Sequence, residues 1–161
     1  MSLVLGIDPG LASTGYALLG DDGRVAACGT LKTAPGRAGA RLLEIVRRIE
    51  ELLAAHEVTE AALEELFMGQ NRTSFLGVAQ ARGAVLACLE SAGVGVAEYK
   101  PSLVKSVVSG YGAAGKRQMA RMLGTQVALD RKADDHALDA VAIALCHLRS
   151  RRVRAVAAAR Q

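Results

Sequence analysis

The sequence predicts an α/β fold in which a mixed five-stranded sheet is flanked by helices, and two observations carry this prediction. Short apolar runs bounded by Gly, Pro or Asp predict strands, and longer runs with apolar side chains at every third or fourth position predict amphipathic helices. In chain order these segments are three strands, a helix, a strand, a helix, a strand and three helices. A chain of 161 residues is long enough for one such domain and too short for two of ordinary size.

The first three predicted strands follow one another through short turns. Residues 4–8 form an apolar run that ends in an acid, and 14–20 and 24–33 are two further strand-like runs. Pro9-Gly10 ends the first run, because proline holds the preceding residue extended and glycine tolerates a positive φ. A turn signal, Asp21-Asp22-Gly23, separates the second run from the third. We therefore expect an antiparallel meander.

The rest of the chain alternates predicted helices and strands. Helices are predicted over 37–56, 73–91, 101–110, 115–123 and 134 to about 152, and strands over 60–64 and 94–99. The helix over 73–91 is apolar or small almost all round, so we expect it to be buried on more than one side. It can pack on a second copy of the chain across a two-fold axis, or it can be a central core helix covered within one subunit.

Charge is distributed unevenly along the chain, whose formal net charge is +4. Residues 1–99 carry 8 basic and 12 acidic side chains, and 100–161 carry 12 basic and 4 acidic ones, which gives net charges of −4 and +8. A cationic region on a small domain favours a polyanionic partner, of which nucleic acid is the commonest. Basic side chains that only solvate helix faces are the alternative.

Composition disfavours two classes of protein. The sequence has no apolar run of about 18 residues and no basic N-terminal segment leading into an apolar stretch, so we expect a soluble, cytoplasmic protein. Cys28, Cys88 and Cys146 stand far apart without a Cys-x-x-Cys pair. This spacing disfavours a disulfide framework and a zinc site, and it predicts small core residues.

Carboxylates at three places in the sequence are candidates for one site. Asp8 ends the first predicted strand, Glu64 ends the fourth, and Asp139 lies one turn inside the last helix. An unpaired buried carboxylate is costly, so each should face solvent, accept hydrogen bonds or bind a cation. A plain turn residue is the alternative for Asp8, because Asp, Pro and Gly cooperate in turns.

The start of the last helix carries further candidates. Residues three or four apart share a helix face, so Asp139 can converge with His136 or with Asp135. Asp134 and Asp135 also have an ordinary explanation, since Asp is a preferred N-cap and acids complement a helix N-terminus. An N-cap role does not explain Asp139, which lies within the helix.

A shared site for these acids predicts a divalent metal. Carboxylates that crowd together repel one another and raise each other's pKa unless a cation is present. Oxygen ligands suit Mg²⁺ or Mn²⁺, and a pair of such ions about 3.5–4 Å apart can activate water and stabilise the leaving oxygen in phosphodiester cleavage. Together with the basic second half, this chemistry predicts a nucleic-acid backbone as the substrate.

Four blocks of the sequence resemble one family over nearly the whole chain. In order they are LGIDPGLASTGYALL, LEELFMGQNRTSFLGVAQARGAV, VAEYKPSLVKSVVSGYGAAGKRQM and DHALDAVAIALCH. Together they resemble the RuvC family of Holliday-junction resolvases, bacterial endonucleases of the RNase H-like fold. The resemblance implies one RNase H-like nuclease domain over 1–161, with 150–161 as a basic C-terminal tail. It also implies a homodimer that cuts two strands of like polarity in a four-way DNA junction during recombination and repair, with a branch-migration motor complex as a partner.

The resemblance implies a set of metal ligands. Asp8, Glu64 and Asp139 match the family's metal-binding acids, and the fourth ligand falls on His136, with the neighbouring Asp135 as the alternative. Two ions, Mg²⁺ or Mn²⁺, are implied for each active site. A nitrogen ligand among the oxygens favours Mn²⁺.

The resemblance also implies DNA contacts. Phe67 matches an aromatic side chain that stacks on bases near the junction centre, and a core phenylalanine is the alternative. Lys105 and Lys116 match basic residues that contact DNA or neutralise developing phosphate charge, with Arg117 beside them, and solvated surface lysines are the alternative. Arg72 is a further candidate for contact with the DNA backbone. Four arginines either add nonspecific phosphate contacts or belong to a frayed helix end: Arg149, Arg151, Arg152 and Arg154.

Three other functions remain open at this point. The segment GIDPGLASTG resembles the phosphate loop of actin-like and sugar-kinase ATPases, but those proteins require two such domains. A catalytically inactive junction-binding module is disfavoured by the retained acids. A different RNase H-like nuclease would act on RNA–DNA hybrids instead of junctions.

Overall fold

The computed structural model describes residues 2–67, 72–128 and 133–158, without the side chains of 72–74 and 154–158. Its elements are β1 (Leu3–Asp8), β2 (Ser13–Gly20), β3 (Val25–Lys32), α1 (Ala38–Ala55), β4 (Val58–Glu64), α2 (Arg72–Ser91), β5 (Gly95–Tyr99), α3 (Pro101–Ser109), α4 (Lys116–Gln126) and α5 (Asp135–Ala158). The predicted α/β class and the predicted order of elements are confirmed. The last helix continues to Ala158 and is therefore longer than the sequence predicted.

The sheet is mixed because its strands are connected in two ways. Its spatial order is β3-β2-β1-β4-β5. The β1–β2 and β2–β3 pairs are antiparallel, as expected for a meander joined by short turns. The β1–β4 and β4–β5 pairs are parallel, as crossovers through helices require. The carboxyl ends of β1, β4 and β5 therefore meet at one edge of the sheet.

Apolar side chains cover both faces of the sheet. Val4 and Leu5 are fully buried neighbours in β1, and they belong to opposite layers because successive side chains of a strand alternate. Leu5 packs in the layer formed with α1 and α2, whereas Val4 packs in the layer formed with α3, α4 and α5. As predicted, Cys88 and Cys146 are buried core residues, whereas Cys28 is only partly buried and packs against the layer that contains Val4.

Helix α2 is buried on one face only. Its buried side is formed by Ala81, Arg82, Val85, Cys88 and Leu89, and its exposed side by Leu76, Gln80, Gly83 and Ala87. Of the two alternatives for this helix, a core helix covered within one subunit does not hold for the described side chains. The reason is that α1 and the sheet contact only one side of the helix, which leaves in solvent a stripe that includes the small residues Gly83 and Ala87.

The C-terminal part of α5 includes the segment expected to form a basic tail. Residues 150–158 continue the helix without a break.

Among the described residues, no helix has the length and apolarity needed to cross a membrane.

Candidate metal and nucleic-acid site

Two strand ends place acids side by side. In the parallel β1–β4 pair, Ile7 lies opposite Leu63, so Asp8 and Glu64 are the next residues at the carboxyl ends of adjacent strands. Ile7 and Leu63 are buried in the layer formed with α1 and α2. Because side chains alternate along a strand, Asp8 and Glu64 extend from the opposite face, which α5 covers.

Helix α5 approaches the sheet unusually closely at its N-terminal end. A β-carbon added to Gly15 on β2 would lie 2.0 Å from the carbonyl oxygen of His136, and one added to Gly6 on β1 would lie 2.2 Å from that of Ala140. Only glycine allows this contact at the two positions. The close approach brings the helix turn that carries His136 and Asp139 over the end of β1.

The imidazole of His136 contacts the carboxylate of Asp8. The Nδ1 and Oδ2 atoms lie 2.9 Å apart, and both side chains are partly exposed. An ionised carboxylate can only accept a hydrogen bond, so Nδ1 carries the proton. In the neutral imidazole Nε2 keeps the lone pair, which is the arrangement commonly found for a metal-binding histidine whose second nitrogen donates to a carboxylate.

A cavity of about 390 Å³ lies between the acids Glu64 and Asp139 and helices α3 and α4. Its lining contains four charged side chains, Glu64, Asp139, Lys105 and Lys116, together with apolar side chains that include Val104 and Met119. A larger and mainly apolar cavity of about 690 Å³ lies elsewhere, between β5, α3 and the second half of α5. Because two carboxyl groups and two ammonium groups line the smaller cavity, we take it as the candidate site for metal and phosphate binding.

The surroundings of the smaller cavity disfavour the ionised forms of Glu64 and Asp139. Burial raises the pKa of Glu64 to about 7, with the carboxylates of Asp139 and Asp8 adding to the effect and the charge of Lys105 opposing it. Burial and the Asp8 carboxylate raise the pKa of Asp139 to about 6, against the charges of Lys116 and His136. Asp139 keeps an exposed edge, so solvent screens part of this interaction.

The donor set fits a divalent cation. The carboxylates affect one another's pKa values, and a positive charge between them would relieve the repulsion. Three oxygen-bearing acids and one imidazole are ligands suited to Mg²⁺ or Mn²⁺. Within the described ranges, no three His, Cys, Asp or Glu side chains already surround a common point at metal-binding distance. The acids are thus near neighbours whose side chains are not closed around one position.

The two acids before His136 have separate roles in the fold. Asp134 is the N-cap of α5, since its Oδ1 atom accepts a hydrogen bond from the Ala137 N–H at 3.1 Å. The hydroxyl of Thr30 also donates to Asp134 and is the main cause of the lowered pKa of this carboxyl. Asp135 is exposed and lies 3.4 Å from the Lys116 ammonium. Of the two candidates for a fourth ligand, His136 is therefore the one that contacts Asp8.

The predicted DNA-contacting residues surround this edge. Phe67 follows β4 and is 58% exposed, so the alternative of a core phenylalanine was wrong. Lys105 on α3 is partly buried in the cavity, and Lys116 and Arg117 are exposed at the start of α4. Arg72 begins α2, and its side chain lies outside the described atoms.

The C-terminal arginines are engaged within the protein. Arg149 donates to the Val107 carbonyl oxygen at 2.9 Å, Arg151 binds the carboxylates of Asp21 and Glu60, and Arg152 binds the main-chain oxygen of Asp21. The side chain of Arg154 is among the atoms that are not described. Of the two alternatives for these arginines, a frayed helix end does not hold for the first three, because α5 continues past them and acids and carbonyls of the same chain bind their guanidinium groups.

Sequence reasoning missed two contributors to the site. The close contacts of Gly6 and Gly15 had a weak signal, since glycine within a strand often marks a close backbone approach. Arg82 also went unnoticed, although it is a charged residue within a mostly small and apolar helix. It is buried and donates to the main-chain carbonyl of Glu64 at 2.6 Å.

Comparison of the sequence with known proteins indicates one family. The family model described as crossover junction endodeoxyribonuclease RuvC matches residues 4–147. The protein of that name from Syntrophomonas wolfei is 43% identical over 155 residues, which cover 93% of this chain and 90% of the relative. The one from Acinetobacter baumannii is 41% identical over 150 residues, covering 91% and 83%.

Solved structures agree with the sequence comparison. T. thermophilus RuvC in complex with Holliday junction substrate superposes with a TM-score of 0.85 at 33% identity, covering 94% of this chain and 95% of that one. The yeast mitochondrial Holliday junction resolvase has a TM-score of 0.68 at 13% identity and shares the fold. The family match covers most of the chain, and the nearly full-length relatives carry the same name. This chain therefore belongs to the RuvC family of crossover junction endodeoxyribonucleases and has the family's RNase H-like fold.

Proposed function

We propose that this chain resolves four-way DNA junctions by symmetric, metal-dependent hydrolysis of phosphodiester bonds during recombination and repair. The supporting observation is the meeting of Asp8, Glu64 and Asp139 at one sheet edge, beside a cavity that also carries Lys105 and Lys116. Relatives above 40% identity are named crossover junction endodeoxyribonucleases, and a T. thermophilus relative has been solved with a Holliday junction.

Asp8, Glu64, His136 and Asp139 would hold the metal, which we propose to be two Mg²⁺ or Mn²⁺ ions for each active site. A bound divalent cation supplies Lewis-acid activation of water and of the phosphate. The four side chains would have to bind it in their deprotonated forms. Glu64 and Asp139 must each lose a proton to bind the metal, because their pKa values lie above the ordinary carboxyl range.

The basic residues around the cavity have two proposed tasks. Lys105 and Lys116 would neutralise charge that develops on the phosphate, because both already act on the carboxyl groups of the cavity. Arg117 and Arg72 would contact the DNA backbone outside the cavity. Phe67 would stack on an unpaired base near the junction centre, for which its exposed ring is available.

Symmetric cleavage needs two active sites, so we propose a homodimer. The exposed stripe of α2 (Leu76, Gln80, Gly83 and Ala87) would form its two-fold contact, because small side chains let two helices approach closely. We further propose that the protein acts in the cytoplasm together with a branch-migration motor complex.

Cleavage of four substrates would test the proposed function. We would incubate the protein with a synthetic four-way junction, a linear duplex of matched sequence, an RNA–DNA hybrid and ATP, with Mg²⁺ and Mn²⁺ tested separately. The proposal predicts two symmetric cuts in the junction and none in the duplex. Preferred cleavage of the hybrid would instead indicate another type of RNase H-like nuclease, and ATP hydrolysis would indicate an actin-like ATPase.

A further inference from the structure

Arg82 is a buried cation that touches the proposed catalytic strand from the side opposite the cavity. It lies on α2 and is 8% exposed. Its Nη1 atom donates to the main-chain oxygen of Glu64 at 2.6 Å, and its Nη2 atom pairs with the Glu98 carboxylate on β5 at 2.5 Å. The guanidinium thus joins α2, the end of β4 and β5.

The carbonyl that Arg82 binds lies where the pairing of β4 with β1 ends. The pairing of β4 with β1 ends at Leu63, one residue before Glu64. On the other side, Glu64 is the last residue paired with β5, opposite Tyr99, and the following Glu65 N–H donates to the Tyr99 carbonyl at 2.8 Å. The chain leaves the sheet directly after this point. The next residue after β1 is Pro9, which has no N–H to donate to the Glu64 carbonyl, so Arg82 supplies the donor at this oxygen.

We infer that Arg82 is a positioning residue, which fixes the main chain at Glu64 and so holds the Glu64 carboxylate in the place where it acts. The inference rests on the proposed function, because it assigns to Glu64 a part in cleavage. Arg82 faces the main chain from the α2 layer, whereas Lys105, one of two lysines that line the cavity, acts on the Glu64 carboxyl group. The two cations therefore have different tasks.

Glu98 has a supporting role in this arrangement. The Arg82 side chain is 10% exposed and that of Glu98 is 44% exposed, so the ion pair extends from the protein interior to the surface. The carboxylate compensates the buried positive charge and fixes one arm of the planar guanidinium. The other arm is then directed at the Glu64 carbonyl. A lysine carries its N–H donors on one nitrogen atom and cannot make both contacts in the same fork geometry.

The test uses Arg82→Met, which keeps most of the aliphatic stem, and Arg48→Met as its control. Arg48 is an exposed arginine on α1, paired with Glu51. In Arg82→Met, we expect amide hydrogen exchange at Glu65 to accelerate by about tenfold, whereas exchange at Leu18 in β2 stays unchanged. Single-turnover cleavage of a four-way junction should fall by about 10–100-fold, while the junction Kd stays within about twofold. The control should match the wild type in every measurement.

Two further variants keep the test decisive if Arg82→Met folds poorly. Arg82→Lys should recover part of the cleavage rate, and Glu98→Gln, which keeps the Glu64 contact, should lose less activity than either. Unchanged Glu65 exchange and cleavage in the Arg82 variants would overturn the inference, as would exchange that rises equally at all amides. If the wild type fails to cut junctions, the proposed function is wrong, and the exchange measurement still decides whether Arg82 holds the end of β4.

Discussion

The Nδ1 atom of His136 and the Oδ2 atom of Asp8 lie 2.9 Å apart, although the two residues are separated by 128 positions in the chain. The contact joins the first turn of α5 to the end of β1. It also determines which nitrogen of the neutral imidazole is available, because the carboxylate accepts a hydrogen bond from Nδ1 and Nε2 keeps its lone pair. A mixed nitrogen and oxygen site follows if His136 binds the metal.

A mixed site predicts a preference for Mn²⁺ over Mg²⁺. The substitution His136→Asp would make all four proposed ligands carboxylates, so the ratio of cleavage rates in Mn²⁺ and Mg²⁺ should fall by about tenfold. Rates measured across a concentration series of each metal provide the check. Asp135→Asn is the matched control, because Asp135 lies beside Lys116 and should leave the ratio unchanged. Equal wild-type activity with both metals at all concentrations would contradict the prediction.

The acids and the basic surface should separate cleavage from DNA binding. Asp8→Asn, Glu64→Gln and Asp139→Asn each remove a proposed ligand charge and nearly preserve side-chain volume. We expect cleavage to fall by at least about 100-fold while the junction Kd remains close to that of the wild type. Gel-shift titration without metal and single-turnover cleavage with metal would measure the two quantities. A parallel loss of binding and cleavage would show that the acids also hold the DNA.

The raised pKa values predict how stability depends on pH. The pKa is about 7 for Glu64 and about 6 for Asp139 in the folded protein. At pH values between the ordinary carboxyl pKa and these raised values, the folded protein holds protons that the unfolded chain has released. The free energy of unfolding contributed by these groups is therefore fully present at lower pH and decreases as pH rises through this window. Asp139→Asn should remove part of this decrease, which thermal unfolding from pH 4.5 to 8 would reveal.

A divalent cation should reverse that loss, because it binds the ionised acids in the folded state alone. At pH 8, Mn²⁺ well above its Kd should raise the Tm by about 5 °C, and at pH 5 the shift should be much smaller. The pH at which activity reaches half its maximum should also decrease as the metal concentration increases. A metal-induced Tm shift that is the same at both pH values, or that persists in Asp139→Asn, would be inconsistent with these ligands.

The acids of the site were visible in the sequence because each interrupts an apolar pattern. Asp8 and Glu64 follow strand-like runs, and Asp139 stands inside an apolar helix. The parallel topology then brings the two strand ends together without further information. The Asp134 N-cap was likewise predictable, since capping depends on local sequence.

Contacts between distant segments were not predictable in the same way. The pairing of Arg151 with Asp21 spans 130 positions, and composition alone gave no reason to choose it over a solvated or DNA-bound arginine. The sequence left two alternatives open for α2, because small residues suit both a buried helix and a helix that packs on a partner. Burial of Arg82 depends on a carbonyl at a strand end and on the Glu98 carboxylate, and neither contact has a local sequence signature.

Phe67 should contribute to junction recognition without supporting the fold. Its ring is 58% exposed, so Phe67→Ala should change the Tm by little while it weakens junction binding or cleavage by about 1–3 kcal/mol, the range for loss of a base stack. Leu43→Ala on α1 is the control, because Leu43 is an exposed apolar residue at 49%. Fluorescence of a base analogue at the junction centre would report stacking directly. A fluorescence signal and a cleavage rate that do not respond to Phe67→Ala would argue against stacking.

The close approach of α5 to the meander should be the most sensitive part of the scaffold. Gly15→Ala would place a β-carbon 2.0 Å from the His136 carbonyl oxygen, so the first turn of α5 must move away from β2. We expect a loss of about 1–3 kcal/mol in the free energy of unfolding, together with a fall in cleavage, because His136 and Asp139 move with that turn.

Gly36→Ala is the matched control for this change. A β-carbon at Gly36 meets no atom within 4 Å, so the free energy of unfolding should stay within about 0.5 kcal/mol of the wild type. Urea unfolding of both variants measures the energetic difference, and Mn²⁺ titration by calorimetry measures its effect on the proposed ligands. If Gly15→Ala binds metal and unfolds like the wild type, the contact between α5 and β2 does not set the position of His136 and Asp139.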